Sequence, residues 1–295
     1  MKKTDNKVIA IVGPTGSGKT EWAKRLAVKF NGKIISADSR QIYRGMDIGT
    51  GKDKSFKQAL VDIIEPTKKF TVCDYQQIAN SLVDQYFNMH AIPIFAGGTG
   101  LYLYAVLYGY VIPSLQKESE KLRQNLEKLS EVKLFSQLQK LDPDTAKKID
   151  QRNKRRLIRA LEYVMLADEP FLRAQKKLKP KFKTLIIGIK TDRETLYSKI
   201  DAKIDQMIKD GLVEEVRALI SKYQSDLPAL NTIGYKEIID YLRDKISLKE
   251  AVTKIKTNTH AYVRRQETWF RKNKDIKWVS RYEDAEKLVK KFLRS

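Results

Sequence analysis

Eight consecutive residues near the start of the chain, Gly13-Pro14-Thr15-Gly16-Ser17-Gly18-Lys19-Thr20, have the types and spacing of a phosphate cradle. Glycines let backbone N–H groups curl around phosphate oxygens at a helix N-terminus. Lys19 adds a point charge, and the Thr20 hydroxyl offers a Mg²⁺ contact. The context fits, because an apolar run (Val8–Val12) precedes the motif and a helical pattern (Lys19–Phe30) follows it. This is the kind of loop that binds ATP, but the motif signals a phosphorylated ligand without saying which. ATPases and GTPases built on it carry a second acid, at the end of another apolar strand, to hold Mg²⁺. The natural candidate strand, Ala91–Ala96, ends instead in Gly97-Gly98-Thr99-Gly100. An acid does follow the run Lys33–Ala37: Asp38, within Ser36-Ala37-Asp38-Ser39-Arg40-Gln41. At a strand end facing the cradle it could ligate Mg²⁺, act as a base, or cap the next turn.

Two further groups of residues could meet phosphate. Arg152, Arg155, Arg156 and Arg159 fall at i, i+3, i+4 and i+7 on one helix face, opposite an apolar stripe of Leu157, Leu161 and Val164. Such a face can simply be solvated, but guanidinium pairs bidentately with phosphate and so points to its recognition. A second basic stretch holds His260, Tyr262, Arg264, Arg265, Gln266 and Arg271 beside Trp269 and Phe270. Those two aromatics read first as core and second as platforms for stacked bases. His90 and Cys73 read as ordinary structural residues.

The charge balance agrees with a phosphate-rich partner. Lys and Arg number 58 against 36 Asp and Glu, a net charge of +22, and a long-range positive field of that size attracts nucleic acid. A general Lys-rich bias is the plainer explanation. Val111–Lys190 is the densest part, at +10 over 80 residues. A single cysteine excludes an internal disulfide and suits a reducing cytoplasm, and one Cys with two His cannot build a zinc finger. No apolar stretch approaches the ~18 residues of a membrane-spanning helix.

The elements that must position these residues alternate. Val8–Val12, Lys33–Ala37, Val61–Ile64 and Ala91–Ala96 are short apolar runs suited to strands buried on both faces, with helical patterns such as Tyr75–Asn88 between them. The spacing predicts an α/β fold: a P-loop NTPase-like parallel sheet flanked by helices, with an inserted all-helical basic domain. The insert runs over 114–180 and interrupts a core made of 1–113 and 181–295. The strand Thr184–Ile189 returns to the sheet, and helices are expected from there to the end.

Taken together, these motifs resemble the tRNA dimethylallyltransferases (tRNA isopentenyltransferases) of bacterial type. The likeness rests on the cradle, on Ala37–Lys52 (ADSRQIYRGMDIGTGK), Gly97–Tyr102, Arg155–Glu162, Gly211–Leu219, Ile233–Glu237 and Tyr262–Arg271. It implies transfer of a dimethylallyl group from dimethylallyl diphosphate to N6 of the adenosine 3′ of the anticodon, with Mg²⁺ as cofactor. It implies that Asp38 is the general base, that Thr99 lies beside the acceptor amine, and that Lys19, Thr20 with Mg²⁺, Arg156 and Arg217 serve the diphosphate. It also implies tRNA contacts from Asp38, Ser39, Arg40, Gln41 and Thr99, from Arg155, Arg156, Leu157, Ile158 and Arg159, and from Arg264, Arg265, Gln266 and Arg271. The insert would clasp the anticodon stem-loop, and the protein would act as a cytoplasmic monomer. One departure is a shortened segment at Ser55–Leu60. The rivals are a P-loop small-molecule kinase, a non-catalytic RNA-binding P-loop protein, and a transferase acting on free adenine nucleotides. A kinase would want the missing strand-end acid. A free-nucleotide enzyme would need neither the basic insert nor the Tyr262–Arg271 helix.

Overall fold

The computed structural model describes residues 6–110, 120–167, 169–174, 181–224 and 226–295. In chain order the first part runs β1 (Lys7–Val12), α1 (Lys19–Lys29), β2 (Gly32–Ser36), β3 (Gln58–Ala59), α2 (Val72–Asn88), β4 (Ile92–Gly97) and α3 (Gly100–Leu107). Then come α4 (Glu120–Glu127), α5 (Glu131–Leu141), α6 (Pro143–Ala146), α7 (Lys154–Ala167) and α8 (Phe171–Ala174). The last part is β5 (Lys183–Ile189), α9 (Arg193–Lys209), α10 (Leu212–Lys222), α11 (Tyr235–Leu242), α12 (Leu248–Arg271), β6 (Ile276–Val279) and α13 (Tyr282–Arg294). The chain divides into two compact units, residues 1–107 with 181–295 and residues 108–180. Pro113, Ser114 and Pro180, where the sequence suggests the boundaries, lie outside the described residues.

In the first unit the described strands form one six-stranded sheet in the order β3-β2-β4-β1-β5-β6, every pairing parallel. Val8–Val12 are fully buried because β1 has a strand on each side and helices over its faces. Ile9, Ile11, Ile34 and Ile94 pack with Leu26 of α1 and Val289 of α13. Register decides what this sheet can do. Val12 stands opposite Gly97 and Gly188, and Ser36 opposite Ala96. The loops after β1, β2 and β4 therefore leave from the same carboxyl edge, where open parallel sheets hold ligands. No helix of the described residues is long and apolar enough to cross a membrane.

Two sequence expectations need correction. Val61–Ile64 is not a strand of the sheet. Leu60 and Asp62 take φ of 63° and 56°, left-handed values that break an extended run. The segment pairs instead with the preceding turn, where the N–H groups of Asp62 and Ile63 donate to the carbonyls of Gln41 and Ile42. The edge position goes to the two-residue strand β3. Helices do not run unbroken after β5 either, because β6 completes the sheet. Its residues Lys277 and Trp278 are exposed, so it shows no apolar run.

The turn Asp47–Gly49 is held from outside itself. Glu215 of α10 accepts hydrogen bonds from the N–H groups of Asp47, Ile48 and Gly49 at 3.0, 2.7 and 3.2 Å, and from the Tyr235 hydroxyl at 2.6 Å. Below it the buried Lys52 ammonium pairs with Asp47 and Asp62 at 2.8 and 2.5 Å. Gln41 joins this turn to β2, donating to the Thr50 carbonyl and accepting from the Ser36 hydroxyl.

The second unit has its own core, in which Leu134, Leu138, Leu157, Ile158, Leu161 and Phe171 meet. Buried Glu162 is neutralised by Arg123 at 3.2 Å and Arg159 at 3.6 Å.

Replacing Glu215 with Ala strands three backbone donors and a phenol in a partly enclosed site. The expected cost is about 2–4 kcal/mol, read as a lowered urea midpoint at unchanged m-value. A loss under ~0.5 kcal/mol would mean water replaces the carboxylate freely.

Candidate active site

The phosphate cradle begins where β1 ends. Gly18 caps α1 with φ 86°, a left-handed turn that spares the helix any side-chain cap and leaves its first N–H groups facing outward. Lys19 folds back so that Nζ donates to the Pro14 carbonyl at 2.7 Å. Burial pushes its ammonium pKa down to about 8, with Asp38 opposing that shift and Lys203 adding to it. Both groups are therefore within electrostatic reach of the cradle. Lys203 belongs to α9, and its Nζ lies against Gly51, where a β-carbon would stand.

Asp38 and Thr99 are brought together by the ends of β2 and β4. Ala37 N–H donates to the Ala96 carbonyl at 2.8 Å, and Thr99 N–H to the Ala37 carbonyl at 3.0 Å. A β-carbon at Gly97 would collide with that Ala37 carbonyl. Across this seam Ser39 N–H donates to Thr99 Oγ1 at 3.1 Å. Asp38 Oδ1 accepts from Arg40 N–H at 2.8 Å, and Oδ2 has no hydrogen-bond partner among the described residues. Burial and then the Asp38 charge push the Tyr262 phenol up to about 12, so it stays a neutral donor beside the carboxylate. Burial likewise raises Tyr102, which stacks on Tyr75 at 4.2 Å.

The remaining expected residues divide. Gln41 is turned inward, with its amide engaged as described above. Arg264, Arg265 and Arg271 are exposed along α12. Arg264 donates to the Tyr197 hydroxyl, Arg265 lies over the Tyr262 ring, and Arg271 pairs with Glu267. Gln266 is instead buried at 5% exposure, between the cradle and Gly98. Phe270 is core at 0%, whereas Trp269 is 45% exposed while stacking on Tyr104 at 6.0 Å. In the second unit Arg155 and Arg156 are exposed and Arg159 is half-buried. Leu157 and Ile158 are 0% and 2% exposed, so their side chains serve the core and are closed to any partner at the surface. Arg217 is exposed on α10 and makes no side-chain hydrogen bond or ion pair among the described residues. Lys203 is the added cation that the fold brings to the cradle, and one lysine on a helix of a Lys-rich chain gives no signal in sequence.

The cradle suits a phosphate with a hard cation. Ser17 Oγ is buried without a hydrogen-bond partner, and the half-buried Thr20 hydroxyl opens the first turn of α1. The described residues hold no cluster of three or more His, Cys, Asp or Glu. Mg²⁺ here would take the Thr20 hydroxyl, phosphate oxygens and water, a donor set it commonly accepts.

Comparison with known proteins identifies the family. The family model described as IPP transferase matches residues 41–273, and that described as isopentenyl transferase matches 6–62. The tRNA dimethylallyltransferase of Thermoanaerobacter sp. (strain X514) is 38% identical, over 97% of this chain and 96% of its own length. That of Geobacillus thermodenitrificans is 40% identical, over 97% and 93%. The crystal structure of the tRNA isopentenylpyrophosphate transferase of Bacillus halodurans superposes with a TM-score of 0.74 at 34% identity, covering 98% of this chain and 97% of that one. A eukaryotic dimethylallyltransferase solved acting on tRNA gives 0.81 at 27% identity, covering 93% and 73%. The match to the family model and to relatives over nearly the whole chain shows that the chain belongs to the IPP transferase family, that of the tRNA dimethylallyltransferases.

Proposed function

We propose that this protein transfers a dimethylallyl group from dimethylallyl diphosphate to N6 of the adenosine 3′ of the anticodon in tRNA, releasing diphosphate. The observation that carries the reading is the meeting of the cradle, Asp38 and Thr99 at one sheet edge, with glycine where an ATPase would place its acid. A diphosphate leaving group needs positive charge at its oxygens and no hydrolytic water. Lys19 and Lys203 supply that charge, and the backbone N–H groups at the start of α1 add to it. Mg²⁺ held at Thr20 would neutralise the diphosphate further as the allylic C–O bond breaks.

The exocyclic amine of adenine is too weak an acid to be deprotonated in advance. As it attacks the cation-like allylic carbon its nitrogen becomes positive, and the proton then passes to Asp38 Oδ2. A carboxylate is a sufficient base at that moment, because the proton on the positively charged nitrogen is strongly acidic. Thr99 and the Tyr262 phenol are placed to orient the base. The adenine has to leave its stack to reach them, which a single-stranded loop permits cheaply. The exposed Arg155 and Arg156 of the second unit, with Arg264, Arg265 and Arg271 of the first, provide phosphate contacts for the stem-loop. The setting is the cytoplasm, where the Cys73 thiol stays reduced. Incubation with Mg²⁺, dimethylallyl diphosphate and either unmodified tRNA or AMP tests the reading. The tRNA should gain one dimethylallyl mass, and modification of AMP alone would overturn the acceptor.

Asp38→Asn keeps shape and removes basicity. Its single-turnover rate should fall roughly 10²- to 10⁴-fold, with both substrate affinities changed far less. A near-normal rate would remove Asp38 from the base role, and loss of Mg²⁺-dependent diphosphate binding would make it a metal-site residue.

The depressed Lys19 pKa gives diphosphate binding a definite pH dependence. Only the ammonium form attracts the ligand, so affinity should be constant below pH about 8 and fall as pH rises through it, approaching tenfold per unit. Lys203 holds the Lys19 pKa down, so Lys203→Ala should weaken binding yet move the break to higher pH. Calorimetric titration across pH 6.5–9.5 checks both signs, and a break that stays in place removes Lys203 from the site.

Binding of an anticodon stem-loop should weaken steeply with salt as counterions are released. Replacing Arg152 and Arg155 by Ala should flatten the log–log slope by about one unit per lost phosphate contact. An unchanged slope would place the RNA elsewhere.

A further inference from the structure

One side chain connects the loop assigned above to the diphosphate with the loop assigned to the acceptor base. Gln266 leaves α12 pointing into the sheet edge, where its Oε1 accepts from Thr15 N–H at 2.9 Å and its Nε2 donates to the Gly98 carbonyl at 3.0 Å. The Tyr262 phenol, one helical turn earlier, also feels the hydrogen bond of this amide. With those partners the amide is occupied and buried, so RNA does not reach it.

The residue type follows from the two neighbours. The cradle presents a donor and the Gly98 turn an acceptor, so the bridge needs an acceptor and a donor at one planar end. Glutamate lacks the donor, lysine lacks the acceptor, and asparagine is a methylene short. A β-carbon at Gly98 would collide with the Gln266 amide nitrogen, so the glycine and the glutamine are fitted to each other. Beyond Gly98 the chain reaches Thr99, which accepts from Ser39 N–H and thereby stands beside Asp38. A displacement of the Thr15 turn is therefore transmitted through one rigid amide to Gly98, and from there to the seam that sets Thr99 against Asp38.

We propose that Gln266 is a positioning residue that couples the two substrates, so that a cradle settled on diphosphate fixes the acceptor loop in its reactive geometry, and an occupied acceptor loop fixes the cradle. The proposal rests on the function read above. Coupling of this kind is reciprocal, each ligand tightening the other by the same factor.

The test uses inorganic diphosphate with Mg²⁺, which cannot react, and an unmodified anticodon stem-loop RNA. In the native protein, saturating diphosphate should tighten the stem-loop by about fivefold or more. Gln266→Met keeps length and volume and removes both hydrogen bonds. It should bring the coupling within about twofold of none and lower the single-turnover rate at saturating substrates about 10- to 100-fold. Diphosphate affinity measured alone should stay within about threefold. Gly98→Ala pushes the amide away from the other side and should reproduce the loss of coupling, which decides the matter if Gln266→Met does not fold. Three results would overturn the proposal: no coupling in the native protein, coupling retained in a folded variant, or a rise in stem-loop KM with kcat intact, as a direct RNA contact would give. Failure of the underlying function looks different, because the native protein would then leave tRNA unmodified.

Discussion

The site depends on how closely two parallel strands are allowed to end. Ala37 and Gly97 approach until no β-carbon fits between them, and the hydrogen bonds Ala37 N–H to Ala96 and Thr99 N–H to Ala37 tie the departing loops together. That approach exists because β4 lies between β2 and β1 in the sheet, which places the cradle on its other side. Were the strands to end out of step, Asp38 and Thr99 would face different neighbours. Polar chemistry here is thus set by backbone register, which the apolar interior enforces through residues such as Ile11, Ile34 and Ile94.

Positive charge has two separate uses in this chain. At the cradle the Lys19 charge is enclosed and gives up part of its basicity to burial, and the exposed Lys203 adds to the effect from nearby. A field from desolvated groups is little screened by salt. Arg155, Arg156, Arg264 and Arg265 are exposed, and their attraction reaches farther but is screened within about a Debye length. In the proposed reaction the first arrangement would stabilise the leaving group and the second would gather the RNA.

What could be seen in the sequence follows from the same physics. Strands β1, β2, β4 and β5 are legible because a strand covered on both faces has to be an unbroken apolar run, and the cradle is legible because its glycines are required by close approach to phosphate. Val61–Ile64 has the same composition as those strands, but left-handed φ at Leu60 and Asp62 is a property of the turn it makes with Gln41 and Ile42. Strand β6 escapes notice because at the sheet edge its consecutive residues Lys277 and Trp278, on opposite faces, are both open to solvent, so no apolar run marks it. Asp38, Thr99 and Lys19 can be picked out because they stand next to strand ends. Lys203, Glu215 and the inward turn of Gln266 cannot, since each acts across more than 150 residues of chain and only packing decides which loop it meets.

Helix α12 shows how such distant residues acquire a role. Its buried positions Val263, Gln266 and Phe270 recur at the spacing of one helix face, and an apolar residue at 266 would satisfy the core as well. A glutamine there costs desolvation of an amide unless both of its ends are paired. They are paired, to two loops that have no backbone hydrogen bond to each other in the described structure. The same helix turns Arg264, Arg265 and Arg271 to solvent. The 3.6-residue period of the helix thus sets one face against both loops and turns three arginines outward, so the buried amide and the exposed charges share one rigid element.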